Sequence, residues 1–249
     1  MNVFAIRHGE TAWSLNGRHT GTTDLPLTDT GRMLAERMRP VLTTKAFELV
    51  LCSPLQRARQ TCELAGLGDR AAIDLDLIEW NYGEFEGLTP KQIEERAPGW
   101  LIFRDGCPGG EAPDEVSARV DRVIARSRAV PGNTALFAHG HLLRVLAARW
   151  IGLPATGGQH FTLNTGTLCV LGYYRQIPAV RIWNGPLVGE ADDDRKEPRI
   201  RPVAVIEQSG QVGGCHLVVA RERQREAFAC GSPGGSGAAP RTRTSRYAW

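Results

Sequence analysis

The feature that most constrains this chain is a short apolar run that stops abruptly: Val3-Phe4-Ala5-Ile6, followed by Arg7-His8-Gly9. Four unbroken apolar residues are too short for a buried helix and lack the alternation of a strand with one wet face. They predict a strand buried on both faces. The pattern recurs. Phe47 to Cys52 predicts a second such strand, ending at Ser53-Pro54, and Thr134 to Ala138 predicts a third, ending at His139. Segments of helical period lie between them. Leu34, Met38, Val41 and Leu42 fall at i, i+4, i+7 and i+8, with Pro40 expected to kink or end that helix. Arg57 to Leu64 predicts a helix. Val116, Val120, Val123 and Ile124 predict another, with Asp114 as its N-cap, and a further helix runs from about His141 to Trp150. Thr167 to Tyr174 and Val180 to Trp183 close the set as strands.

Strand and helix in alternation predict an α/β fold with a mostly parallel central sheet and helices on both faces. Ligands of such sheets bind beyond the carboxyl ends of the strands. His8, Ser53 and His139 fall at three of those ends.

Residues 1–185 read as one domain. Residues 186–249 carry eight glycines and five prolines and predict a disordered or irregular, flexible tail. Val203 to Ile206 and His216 to Ala220 are candidate short strands within it, and a shifted reading frame is an alternative origin for the segment. A chain with 42% hydrophobic and 23% charged residues can build a core, which excludes a wholly disordered protein. The formal charge of +3 is too mild to call for nucleic acid or a membrane surface. No 18-residue apolar run predicts a membrane span, and the first residues lack the pattern of a secretory signal, so a cytoplasmic location is expected. The six cysteines form no C-x-x-C pair and are expected to be reduced and inert.

Four motifs carry chemistry. In Arg7-His8-Gly9-Glu10-Thr11, a strand-end histidine followed by glycine lets a phosphate approach the backbone, and Arg7 offers a planar fork of donors. A surface Arg-His pair is the plain alternative. In Ser53-Pro54-Leu55-Gln56-Arg57, the arginine lies on the first turn of a helix and can reach back to the strand end; a solvated helix face is the alternative. In Glu79-Trp80-Asn81-Tyr82-Gly83, the Trp80 ring can desolvate Glu79 and suit it to general-acid work. The following Glu84 and Glu86 read as ordinary loop carboxylates. In Ala138-His139-Gly140-His141, a histidine opens a helix whose N–H groups and dipole point at the site. His139 and His141 stand two apart with no acidic or cysteine ligand nearby, so neither a metal nor another cofactor is expected.

In this order the four motifs resemble the histidine phosphatase superfamily, the phosphoglycerate mutase-like fold, over about residues 1–184. The resemblance implies that His8 is the nucleophile, that Glu79 donates a proton to the leaving oxygen, and that Arg7, Arg57 and His139 hold phosphate oxygens beside the backbone of Gly140. Many members read R-H-G-E-T-x-W-N; here Ser14 stands at the asparagine position, with a shorter donor for phosphate. Trp13 through Thr28, Glu79 through Gly83, and Arg104-Asp105-Gly106-Cys107 are similar to a narrower group, the fungal sedoheptulose-1,7-bisphosphatase and its bacterial relatives. That similarity implies a sugar phosphate substrate such as sedoheptulose bisphosphate, with His19, Arg104 and His141 as contacts. The expected activity is a metal-independent phosphomonoesterase working through phosphohistidine. A phosphoglycerate mutase and a non-catalytic phosphate-binding module are the rivals. His139 follows Glu79 by only 60 positions, which leaves little chain to enclose a mutase substrate and favours hydrolysis.

Overall fold

A computed structural model describes residues 1–185; the candidate strands at Val203 to Ile206 and His216 to Ala220, and the proposed tail, lie outside them. Six strands form one sheet in the order β3-β2-β4-β1-β5-β6. They are β1 (Val3–Arg7), β2 (Phe47–Cys52), β3 (Ala72–Ile73), β4 (Asn133–Ala138), β5 (Leu168–Tyr174) and β6 (Ile177–Gly185). The four from β3 to β1 are parallel, and β5 and β6 add an antiparallel pair beside β1.

The continuous apolar runs of β1 and β4 follow from burial on both faces. Phe4, Ile6, Ala135 and Phe137 point into one core, with Met38 and Leu42 of α2 (Asp29–Leu42) and Ala58 and Cys62 of α3 (Gln56–Leu64). Val3, Ala5, Leu136 and Ala138 point into the other, with Val116, Val120 and Val123 of α6 (Pro113–Ala129) and Leu142, Leu143 and Leu146 of α7 (Gly140–Trp150). Each large apolar side chain fully buried in this way contributes about 1.5–3 kcal/mol. The mostly parallel α/β fold with helices on both faces is therefore the observed one. Three short α-helices, α1 (Ala12–Leu15), α4 (Pro90–Arg96) and α5 (Ile102–Asp105), and four 3-10 turns lie in the connections.

One local expectation is refined and one is corrected. Pro40 does not stop α2, which runs on to Leu42. The proline sits in the last turn, so only its own N–H is missing from the ladder, and Thr43 closes the turn by donating to the Arg39 carbonyl from both its N–H and its hydroxyl. Asp114 is not the N-cap of α6. Ala112 is, with Pro113 at the first helical position, and the Glu115 carboxylate reaches back to accept from the Ala112 N–H at 2.7 Å.

Candidate active site

Parallel register brings the ends of β1, β2 and β4 to one edge. His8 donates its main-chain N–H to the Ala138 carbonyl, and Ser53 donates to that of Phe137. The His8 and His139 rings lie 5.1 Å apart between centroids, and His139 Nε2 is 2.8 Å from Ser53 Oγ.

His8 is 5% exposed, and its Nδ1 lies 2.7 Å from the Gly9 carbonyl. A carbonyl can only accept, so Nδ1 carries a proton. Burial, and then the charges of Arg57 and Arg7, hold the imidazole well below its usual range. The ring is thus neutral, with its lone pair on Nε2, which has no hydrogen-bond partner among the described residues. Gly9 also has a packing role that the sequence did not mark. A Cβ there would stand 2.4 Å from the Gly31 carbonyl of α2, so glycine is needed for the strand end to pass the helix.

Arg7 is half-buried against α7. One Nη donates to the Leu163 carbonyl, and Nε has no partner. A Cβ on Gly140 would lie 3.2 Å from the Arg7 guanidinium carbon, so Gly140 is what lets that guanidinium lie against the helix N-terminus. Arg57 is fully buried and uses all three nitrogens: Nε to His139 Nδ1, and the two Nη to the carbonyls of Thr20, Gly21 and Thr23.

Glu79 is tied to α7. Its Oε1 accepts from the N–H groups of Trp80 and Leu142, both at 2.9 Å, and its Oε2 accepts from His141 N–H at 3.0 Å. Two first-turn donors of α7 therefore hold this carboxylate at the helix's positive end. The Trp80 ring beside it is fully buried.

A cavity of about 520 Å3 opens here, lined in part by Arg7, His8, Ser14, Glu79 and Gly140. Arg57 and His139 stand behind that lining. Further lining comes from His19, Tyr82, Trp100, Phe103, His141 and Arg144. The His19 and His141 rings stack with 5.6 Å between centroids, and Tyr82 Oη is 2.5 Å from His141 Nδ1. Burial pushes the Tyr82 hydroxyl well above its ordinary value and holds His141 well below, so both are neutral at pH 7. Ser14 lines the cavity but spends its hydroxyl locally, accepting from Thr11 N–H and donating to the Thr11 carbonyl. Arg104 is outside the lining: its guanidinium pairs with Asp105 at 2.6 Å and donates to the Gly99 carbonyl. Among the described residues no three His, Cys, Asp or Glu side chains gather into a metal-binding group, and the four described cysteines are free thiols.

Three site features escaped the sequence reading. Glu86 is no ordinary loop carboxylate: it accepts from the N–H groups of Gly21 and Thr23, fixing the loop whose carbonyls hold Arg57. Tyr82 stands in the Glu79 motif, where nothing local marks its contact with His141. Arg144, one turn beyond His141, offered no signal beyond its helical spacing from the histidine motif.

Fold and cavity together are those of an α/β enzyme with a deep site at the carboxyl edge of its parallel strands. The chain belongs to the histidine phosphatase superfamily (branch 1), whose family model matches residues 3–186. It is similar to an acid phosphatase of Mycobacterium tuberculosis, 42% identical over 74% of this chain and 94% of the relative. It is also similar to the sedoheptulose 1,7-bisphosphatase of Saccharomyces cerevisiae, 38% identical over 59% of this chain and 66% of that protein. The solved structure of an open reading frame product from M. tuberculosis superposes with a TM-score of 0.72 at 36% identity, covering 75% of this chain and 98% of that one. The chain is accordingly an enzyme of phosphatase type. Among the described residues no helix is long and apolar enough to cross a membrane.

Proposed function

We propose that this phosphatase hydrolyses a small phosphomonoester through a phosphohistidine at His8, without a metal. One observation carries the reading: a buried, neutral imidazole with Nδ1 committed to the Gly9 carbonyl and Nε2 unengaged. Nε2 attacks phosphorus and the P–O bond to the alcohol breaks. The departing alkoxide takes a proton from Glu79, for which Oε2, with one bond accepted, has capacity left. In the second half-reaction Glu79 takes a proton from water, the hydroxide attacks phosphorus, and the N–P bond breaks to release inorganic phosphate and restore His8. The Nδ1–H bond to Gly9 stabilises the positive charge on the phosphorylated ring. Arg7, whose Nε lacks a partner, supplies fixed charge to the transferring oxygens, with Arg57 and His139 behind it.

The substrate class we favour is a sugar phosphate, sedoheptulose bisphosphate being one candidate. Aromatic walls at Trp100 and Phe103, the polar tips of His19 and His141, and the cation of Arg144 suit a polyol carrying further charge. The similarity to a sedoheptulose bisphosphatase supports the same class. Arg104 keeps a place in this reading only as a residue of the cavity's surroundings. The experiment is turnover of p-nitrophenyl phosphate and a panel of sugar phosphates, with and without EDTA. We expect EDTA-resistant release of phosphate and a preference for one or more sugar phosphates. A requirement for added divalent ion, or phosphoryl transfer between phosphoglycerates without net hydrolysis, would overturn the reading.

A further inference from the structure

We infer that Arg119, on α6 and outside the cavity, is a positioning residue for Glu79. The inference rests on the proposed role of Glu79 as proton donor. Arg119 is 8% exposed and every guanidinium nitrogen is occupied. Nε and Nη2 form a two-pronged pair with Glu111 at 2.8 and 2.9 Å. Nη1 donates to the carbonyls of Ile78 and Asp76 at 2.6 and 2.9 Å. Ile78 is the residue immediately before Glu79.

Glu111 grips the other side of the same segment. Its Oε2 accepts from Asn81 N–H at 2.8 Å, its N–H donates to the Asn81 carbonyl at 3.0 Å, and its carbonyl accepts from the Trp80 ring N–H at 2.9 Å. The close pairing is built in. A Cβ on Gly110 would stand 2.2 Å from the Asn81 carbonyl oxygen, so only glycine lets the strap approach. Glu79 is thus bracketed by Ile78 on Arg119 and by Trp80 and Asn81 on Glu111, while its carboxylate is aimed by α7. An irregular segment carrying no ladder of its own is braced by one part-buried ion pair. Displacement by about 1 Å of a group that must deliver a proton is enough to cost on the order of a hundredfold in rate.

Leaving-group chemistry separates positioning from mere folding. A proton donor matters for an alkyl phosphate, whose alkoxide leaves poorly, and little for p-nitrophenyl phosphate. R119Q, R119K and E111Q are to be compared with E79Q on a sugar phosphate and on p-nitrophenyl phosphate. In R119Q we expect kcat/KM, which ends at the first transfer and leaves out the water step common to both esters, to fall at least tenfold on the sugar phosphate and no more than about threefold on p-nitrophenyl phosphate. R119K, which keeps the charge but not the fork, should recover part of the loss. E111Q, the milder variant should R119Q fail to fold, should show the same selectivity. R119Q added to E79Q should cost the sugar phosphate little more. Equal losses on both esters in the Arg119 and Glu111 variants, with E79Q selective, would overturn the inference. An E79Q variant without selectivity would overturn the donor role itself, and is told apart by the E79Q arm alone.

Discussion

His139 accepts a hydrogen bond at Nδ1 from Nε of Arg57, at 3.2 Å, in a fully buried setting. Arginine can only donate, so Nδ1 holds the lone pair. Burial and the Arg57 charge keep the ring well below its usual range, so the neutral tautomer carries its proton on Nε2 and gives it to Ser53 Oγ. The residues ending β2 and β4 and the arginine of α3 therefore form one relay with a defined direction.

Removing Ser53 breaks that relay at its sealed end. Ser53→Ala leaves a buried imidazole N–H without an acceptor, which costs about 1–3 kcal/mol. For a folded body of this size that is a drop in Tm of several degrees. Differential scanning calorimetry checks it. An unchanged Tm would show that His139 Nε2 finds another partner.

Stability should fall on mild acidification. His8 and His139 are held low in the fold, in each case first by burial and next by the Arg57 charge. An unfolded histidine gains its proton as pH falls through about 6.5, while the folded ones remain neutral further down. Below 6.5 the unfolded chain binds more protons, so this contribution is whole above that pH. It is lost as pH falls towards the folded values, at up to about 1.4 kcal/mol per pH unit for each histidine. His141, also held well below its usual value by burial, acts in the same direction, and the less buried His19 adds to it. Urea unfolding at pH 7.0 and 5.5 measures the slope. A flat profile would contradict the neutral, buried state.

Gly140→Ala places a methyl group against the Arg7 guanidinium. Alanine suits a helix, so stability should hold, while Arg7 must move. We expect competitive inhibition by inorganic phosphate to weaken about tenfold, since Arg7 lines the cavity beside His8. Unaltered inhibition would remove Arg7 from phosphate binding.

Glu86→Ala frees the N–H groups of Gly21 and Thr23 and loosens the three carbonyls that hold Arg57. kcat/KM should fall about tenfold on aryl and sugar phosphates alike, because in the proposed mechanism Arg57 acts on the phosphate and not on the leaving group. Loss confined to sugar phosphates would place the loop in substrate selection instead.

Much of the frame was legible because burial leaves a direct mark on sequence. Apolar runs marked β1, β4 and, after Glu48, β2, and the polar residues ending them met as parallel pairing requires. Two-residue β3 carries no such mark: Ala72 and Ile73 are both exposed. Pro40 marked the end of α2 to within two residues, and Asp114 misled because a proline one residue earlier had already opened the helix. The supports of the site were hidden for another reason. Glu86 reaches Gly21 across 65 positions and Arg119 reaches Ile78 across 41. Nothing local distinguishes a carboxylate or guanidinium that will fold onto distant backbone from one that will face water. Arg104 shows the converse: its neighbour Asp105 already satisfies it.

The covalent intermediate is the most direct test. Quenching turnover of a phosphorus-labelled sugar phosphate should trap label on His8, stable in base and labile in acid, and Glu79→Gln should leave that site of labelling unchanged. His8→Ala should fold, since alanine fits a strand end, and should neither trap label nor turn over. Label on another residue, or turnover by His8→Ala above a few per cent of the wild-type rate, would contradict phosphoryl transfer through His8.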